Sequence, residues 1–224
     1  AIVHYSADEK SNVPLKEGKL FMTDTGGHYL EGSTDITRTV ALGEVGNIEK
    51  EHFTLVARAM LRLANTVFLY GCSGANLDCI AREVFWKEGL NFNHGTGHGV
   101  GYLLNIHEGP INFRWKEGER PAPALEENMV ITDEPGIYIE GSHGIRLENE
   151  LLVRKTVKNE YGQFMNFEIL TYVPIDLDAI LPEKMSTEEK EMLNHYHKQV
   201  YEKVSPYLSE EERIWLKEYT RAVK

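Results

Sequence analysis

Five residues along the chain have side chains suited to divalent metal ions: Asp24, Asp35, His98, Glu134 and Glu148. Each lies at the end or in the middle of an apolar, strand-like run, where a carboxylate without a partner is costly. A set of four carboxylates and one imidazole is rich in oxygen and suits hard ions such as Mn²⁺. Its four negative charges balance two divalent ions, which about 3.5–4 Å apart can hold and activate a bridging hydroxide.

Each member of this set also has an ordinary structural interpretation. Asp24 and Asp35 stand eleven residues apart and flank a predicted hairpin, so on their own they are more simply explained as surface acids. Glu148 alternates with Arg146 and Glu150, which predicts three charged side chains on one face of a strand, usually a solvated face. The spacing of the five residues matches no short local motif, so spacing alone leaves both interpretations open.

A glycine-rich segment adds histidines to the candidate site. Residues 94–101 alternate glycines with His94 and His98, and His107 follows nine residues after His98. Glycine there allows a close backbone approach, or a turn where a Cβ would clash. A lone histidine is usually structural, whereas three within fourteen residues indicate metal binding, proton transfer or both.

The elements that must position these residues can be predicted from periodicity. A strand ending in a turn at Gly26–Gly27, followed by a strand at 35–40, predicts a hairpin across residues 26–33. Apolar periodicity predicts helices at 47–70 and 75–87. The remaining predictions are a glycine-punctuated loop at 94–109 and strands at 129–132, 144–153 and 167–172. This pattern predicts an α+β fold.

The character of the sequence changes after Pro182. Capping sequences at Ser186 and Ser209 predict two helices in the last forty residues. We therefore predict a catalytic-type domain over residues 1–181 and a helical extension over 182–224.

Composition excludes several classes of function. The 224 residues contain 24 basic and 35 acidic side chains, for a net charge of −11, which argues against sequence-independent nucleic-acid binding. No apolar run approaches the roughly 18 residues of a membrane span, and no signal peptide is visible. Two cysteines are too few for a disulfide framework. A reducing, cytoplasmic location is the expectation.

Six sequence blocks resemble, in order, the metallopeptidases of family M24 with the pita-bread (creatinase/methionine aminopeptidase) fold. They most resemble the Xaa-Pro aminopeptidase (aminopeptidase P) branch. The blocks are MTDTGGHY at 22–29, STDITRT at 33–39, HGTGHGVG at 94–101, NIHEGP at 105–110, TDEPG at 132–136 and GIRLEN at 144–149. The resemblance runs from about residue 2 to residue 173, and the end of the chain resembles the C-terminal extension of three-domain members.

The resemblance assigns roles residue by residue. It implies that two divalent ions, most simply Mn²⁺, are ligated by Asp24, Asp35, His98, Glu134 and Glu148. Of these, Asp35 and Glu148 would bridge the two ions. It also implies that Glu134 is a proton shuttle.

Further positions are assigned around the metals. The resemblance implies that His107 stabilises the oxyanion as a catalytic residue, and that His4, His94, His107 and Arg146 contact or line the substrate.

The implied activity is hydrolysis of the N-terminal Xaa-Pro bond of proline-containing peptides. A hydroxide bridging the ions attacks the carbonyl before proline, and a proton passes to the leaving nitrogen. Proline lacks a backbone N–H, so a site that expects no donor there can select it. The resemblance also implies a homodimer of the full-length protein.

Two alternatives remain open. A dipeptidase of the same fold (a prolidase) would differ in its preference for substrate length. A non-catalytic peptide-binding module is a different class, disfavoured because all five ligands are present. Relatives of this length class carry upstream domains, so we expect the chain to be the C-terminal part of a longer protein, incomplete at its N-terminus.

Overall fold

The computed structural model describes residues 3–6, 8–103, 105–116 and 121–224. The strands are β1 (Lys19–Tyr29), β2 (Gly32–Leu42), β3 (Phe68–Leu69), β4 (Gly97–Val100), β5 (His107–Phe113), β6 (Val130–Asp133), β7 (Gly136–Tyr138), β8 (Gly144–Arg146), β9 (Asn149–Asn159) and β10 (Gly162–Ile169). The α-helices are α1 (Asn47–Ala64), α2 (Gly74–Lys87), α3 (Thr187–Val204) and α4 (Glu210–Tyr219). Short 3₁₀ turns cover Leu177–Ala179, Pro182–Lys184 and Ser205–Tyr207. This mixture confirms the predicted α+β class.

Strands β1 and β2 form the long antiparallel hairpin that carries the first two candidate acids. The strands are paired along their whole length, with Gly26 opposite Asp35, and the chain reverses at residues 30–31. The predicted turn at Gly26 and Gly27 is therefore wrong, since both glycines lie inside β1. A Cβ at Gly26 would lie 2.3 Å from the Thr34 carbonyl oxygen, so glycine is needed there for close strand pairing.

A six-stranded antiparallel sheet forms the centre of the fold, in the order β3-β10-β9-β6-β4-β5, and β7 pairs separately with β8. Gly99 of β4 pairs with Ile131 of β6, and Thr132 of β6 pairs with Glu150 of β9. This order brings the chain segments with the last three candidate ligands next to one another.

Three predicted segments differ in extent from the observed elements. Residues 94–109, predicted as a loop, contain β4 and the start of β5, because their glycines leave room for carbonyl oxygens of neighbouring chain. The predicted strand at 144–153 is divided at Leu147 and Glu148, because β8 and β9 pair with different strands. The predicted strand at 167–172 is the end of the longer β10.

Helices α1 and α2 pack against each other and contribute much of the apolar core. Phe53 and Val56 of α1 are fully buried. The helix ends at Ala64, short of the predicted end at residue 70, because Phe68–Leu69 pair with β10. Helix α2 begins one residue before its predicted start. Within the described ranges, none of the helices is both long and apolar enough to cross a membrane.

Helices α3 and α4 begin where the capping sequences predict. The Ser186 hydroxyl accepts a hydrogen bond from the Glu189 N–H at 3.1 Å, and the Glu189 carboxylate accepts one from the Ser186 N–H at 2.9 Å. Ser209 and Glu212 repeat this box at the start of α4. Tyr196 of α3 is buried, so this helical segment is packed onto the core.

Arg38 of β2 connects the helical segment to the candidate site. Its side chain is buried and forms hydrogen bonds with backbone and side-chain acceptors from four parts of the chain. It donates to the carbonyl oxygens of Thr37, Glu148, Val173 and Pro174, to Oδ1 of Asn149 and to the hydroxyl of Tyr196. A single guanidinium thereby joins β2, β9 and α3.

A buried histidine makes folding stability depend on pH. His197 Nε2 accepts a hydrogen bond from the Ile175 N–H at 3.0 Å, which requires the unprotonated nitrogen. Burial, together with the nearby charge of Arg38, lowers the pKa of His197 from 6.5 to about 4. Between these values the unfolded chain binds a proton that the folded chain does not. The free energy of unfolding therefore decreases as the pH falls from about 6.5 towards 4, by up to about 1.4 kcal/mol per pH unit.

The His197→Gln variant tests this pH dependence, because the glutamine amide oxygen can accept the same hydrogen bond without titrating. We expect its free energy of unfolding to fall less than that of the wild type between about pH 7.5 and 5, measured by urea denaturation. His195→Gln, at an exposed position of the same helix, is the matched control and should follow the wild type. An equal loss in the wild type and in His197→Gln would contradict the prediction.

Candidate metal centre

Three of the predicted ligands form a compact cluster. Asp35 of β2, His98 of β4 and Glu148, between β8 and β9, each offer one ligand atom, and these atoms all lie within 4.8 Å of one another. His98 Nε2 lies 3.5 Å from Asp35 Oδ2 and 3.4 Å from Glu134 Oε1. Four of the five predicted ligands therefore share one site, although they come from distant parts of the sequence.

Strand β4 orients the histidine of this cluster. His98 Nδ1 lies 2.9 Å from the Gly99 carbonyl oxygen, which can only accept, so Nδ1 carries the proton and Nε2 faces the carboxylates. The His98 N–H donates to Thr132 Oγ1 at 3.0 Å, and that hydroxyl donates to Glu134 Oε1 at 3.1 Å. A Cβ at Gly97 would lie 1.8 Å from the Thr132 carbonyl oxygen. The glycines around His98 are needed because β4 lies in a crowded part of the sheet.

Asp24, the fifth predicted ligand, lies beside the cluster and is paired with an arginine. Its Oδ2 accepts a hydrogen bond from Arg146 Nη2 at 2.7 Å, and its side chain is half-exposed. Arg146 is buried and also donates to the Tyr138 hydroxyl at 2.9 Å and to Thr37 Oγ1 at 3.1 Å. Arg146, predicted to contact substrate, thus holds Asp24 and Tyr138 in place.

The carboxylates of the cluster carry negative charge that the surrounding side chains do not balance. Burial, with the charges of Glu134 and Asp35, raises the pKa of Glu148 well above its usual range. Burial also raises the pKa of Glu134, although His98 and Arg146 oppose this effect. Such a site favours bound cations, and its oxygen-rich donor set suits hard divalent ions. The residues therefore fit the metal ions that the sequence predicts.

Two further predicted histidines lie along the open side of the cluster. The His107 ring is perpendicular to the His98 ring, with centroids 4.1 Å apart, and the His4 ring lies 6.4 Å beyond it. Burial lowers the pKa of His107, and the nearby His98 adds to this effect. Both rings are placed where a substrate could reach them.

His94 lies deeper in the fold, beside a tyrosine. Its ring centroid is 5.4 Å from that of Tyr138, and its Nδ1 is 2.7 Å from the Gly95 carbonyl oxygen. Burial lowers the pKa of His94 to about 4, so the ring is neutral near neutral pH. Its Nε2 is buried without a hydrogen-bond partner among the described residues, which leaves one polar atom available to a ligand.

Reasoning from the sequence missed three residues of this site: Thr37, Tyr138 and Glu150. Thr37 is buried and donates to Glu148 Oε2 at 2.8 Å, and its alternation with Asp35 in strand β2 could have indicated it. The strand pattern predicted that Glu150 shares one face of a strand with Glu148, and that this face is solvated. The interpretation of that face as solvated is wrong, because Arg146, Glu148 and Glu150 are all buried.

Comparison with known families accounts for nearly the whole chain. Residues 1–155 match the model of metallopeptidase family M24, and residues 163–223 match that of the C-terminal region of peptidase M24. The chain belongs to metallopeptidase family M24.

Curated relatives extend the comparison to particular enzymes. The chain is 40% identical over 228 residues to a probable Xaa-Pro aminopeptidase P of Paracoccidioides brasiliensis, covering 100% of this chain and 37% of the relative. It is 38% identical over 226 residues to aminopeptidase P1 of Arabidopsis thaliana, covering 100% of this chain and 35% of that protein. The chain thus spans a little over a third of the length of these relatives.

Solved structures agree with this assignment. X-prolyl aminopeptidase from Caenorhabditis elegans, described as a cytosolic enzyme with a di-nuclear active site, superposes with a TM-score of 0.91 at 36% identity, over 98% of this chain and 36% of that one. The prolidase from Pyrococcus horikoshii gives a TM-score of 0.61 at 32% identity, over 75% of this chain and 44% of that one. The fold is the pita-bread fold of these enzymes.

Proposed function

We propose that this chain forms the catalytic part of a metal-dependent aminopeptidase that hydrolyses the N-terminal Xaa-Pro bond of peptides. The observation that carries the proposal is the cluster of Asp35, His98 and Glu148 within 4.8 Å, with Glu134 beside it. The cluster lies in an M24 chain that is 40% identical to a probable Xaa-Pro aminopeptidase P. The proposal includes the catalytic domain over residues 1–181 and the extension over 182–224.

Two divalent ions complete the proposed site. Asp24, Asp35, His98, Glu134 and Glu148 would hold them, and we propose Mn²⁺ because the donors are mostly carboxylate oxygens. The di-nuclear active site described for the Caenorhabditis elegans enzyme supports two ions. When bound, the ions supply an activated water at neutral pH and positive charge for the substrate carbonyl oxygen.

The side chains of the chain itself handle the proton and the substrate. The Glu134 carboxylate, 3.4 Å from His98 Nε2, takes a proton from the attacking water and passes it to the imino nitrogen of the departing proline. His107, at the open side, donates a hydrogen bond to the substrate carbonyl oxygen. His4, His94 and Arg146 contact or line the peptide. Arg146 holds Asp24 in position.

The wider properties of the protein follow the same proposal. Its proposed substrates are proline-containing peptides. Proline has no backbone N–H, so a site that offers no hydrogen-bond acceptor at that position can favour it. We propose a cytoplasmic location, supported by the cytosolic description of the Caenorhabditis elegans enzyme. We also propose that the full-length protein is a homodimer and that it binds neither nucleic acids nor membranes.

A substrate panel tests the activity. We expect the Mn²⁺-loaded protein to release the first residue from an Xaa-Pro-Xaa tripeptide, to act more slowly on the Xaa-Pro dipeptide, and to leave an Xaa-Ala-Xaa tripeptide intact. Products would be separated and quantified by mass spectrometry. Preference for the dipeptide would replace the proposal with a prolidase. Peptide binding without product from a protein that holds two ions would identify a binding module.

A further inference from the structure

Glu150 is a carboxylate next to the metal cluster that the proposed reaction does not use. Glu150 lies on β9 and is 6% exposed. Its Oε1 accepts a hydrogen bond from the backbone N–H of Asp35 at 3.0 Å, across 115 residues of sequence. Within the described ranges this is the one hydrogen bond that its carboxylate forms.

This contact extends a short ladder between β2 and the start of β9. The Glu148 N–H donates to the Thr37 carbonyl oxygen at 3.0 Å, which ties the two chain segments by their backbones. Two residues further along β9, the side chain of Glu150 replaces the backbone acceptor and binds the Asp35 N–H. The two contacts together fix the separation of Asp35 and Glu148.

The contact with the Asp35 N–H requires a hydrogen-bond acceptor at position 150. A glutamine would satisfy the Asp35 N–H equally well, since its Oε1 is also an acceptor. A buried carboxylate is costly unless a cation or a charged partner compensates it. No ion pair to Glu150 is present in the part of the chain that the structure describes. The hydrogen bond to the Asp35 N–H is therefore the one contact, among these residues, that ties its carboxylate to the cluster.

We propose that Glu150 is a positioning residue for the metal centre, which holds the Asp35 backbone against β9 and so keeps the Asp35 carboxylate in place for cation binding. This inference rests on the proposed metal-dependent function. Supporting groups of this kind typically change metal affinity by 10–100-fold when removed. Glu150 does not touch the substrate in this scheme.

Two substitutions separate the hydrogen bond from the charge. In Glu150→Gln the acceptor is kept and the charge is lost, and we expect the Kd of the more weakly bound Mn²⁺ to stay within about twofold of the wild type. In Glu150→Leu both are lost, and we expect a rise of about 10–100-fold. Titration calorimetry of the metal-free protein with Mn²⁺ alone measures both. Glu189→Gln removes another buried carboxylate, paired with Arg58, and should leave the Kd unchanged.

A second readout reports the contact without any metal. Hydrogen exchange of the Asp35 amide in the metal-free protein should accelerate in Glu150→Leu and remain as in the wild type in Glu150→Gln. A Kd for Glu150→Leu within twofold of the wild type would overturn the positioning role, and unchanged exchange at Asp35 would overturn the contact. A wild type that takes up no Mn²⁺ would count against the proposed metal-dependent function instead, and exchange at Asp35 would still decide the contact.

Discussion

Replacing Glu148 by alanine is expected to reduce the number of Mn²⁺ ions bound per chain from two to one or none and to lower turnover of an Xaa-Pro tripeptide by at least about 10³-fold. Glu148 is buried and offers one oxygen to the same point as Asp35 and His98. Its loss would remove one carboxylate of the proposed ligand set. Elemental analysis after desalting measures the first effect, and a peptide assay measures the second.

The same variant should not be unstable without metal. Burial and neighbouring negative charges raise the pKa of Glu148 in the folded chain, so its carboxylate destabilises the metal-free fold near neutral pH. Glu148→Ala is therefore expected to unfold, without metal, at the same temperature as the wild type or at a higher one. Glu168→Ala, on the exposed face of β10, is the matched control and should bind two ions. Binding of two ions by Glu148→Ala would contradict the proposed ligand set.

Arg38→Met is expected to lower the free energy of unfolding by about 3–5 kcal/mol, the largest stability effect that we predict. Methionine keeps much of the side-chain volume but removes all the donors. The carbonyl oxygens and the Asn149 side chain that now bind the guanidinium would remain buried without that partner. Urea denaturation followed by circular dichroism measures the change.

Arg154→Met provides the comparison for this effect. Arg154 is partly exposed and binds Glu168 and Asn128 at the surface, where such contacts contribute about 0–1 kcal/mol. A loss in Arg38→Met no larger than that of Arg154→Met would show that the buried network of Arg38 contributes little.

The sequence predicted well those elements that local signals define. The serine and glutamate pairs at 186–189 and 209–212 fix the starts of α3 and α4, because a capping box is satisfied within four residues. The end of α1 was missed because residues 68–69 prefer pairing with β10, a contact formed with residues almost a hundred positions later. The turn predicted at Gly26 is wrong for a related reason, because this glycine makes room for the neighbouring strand β2.

The candidate site was predicted mainly because six sequence blocks follow the order found in family M24. The structure adds the geometry of the site. Asp35, His98, Glu134 and Glu148 converge as the blocks imply, although nothing in their spacing requires it. The pairing of Asp24 with Arg146 could not be read from the sequence, because it depends on how the β1–β2 hairpin lies against β8. The burial of Glu150 could not be predicted either, because it depends on the packing of β2 against β9.

The hydrogen bonds of Arg38 set an order of events during synthesis. Tyr196, which accepts one of them, is made 158 residues after Arg38. The guanidinium therefore cannot complete its hydrogen bonds until the residues of α3 have been synthesised. If β2 closed against β9 before α3 was in place, a buried cation would lack part of its hydrogen bonds, which is costly.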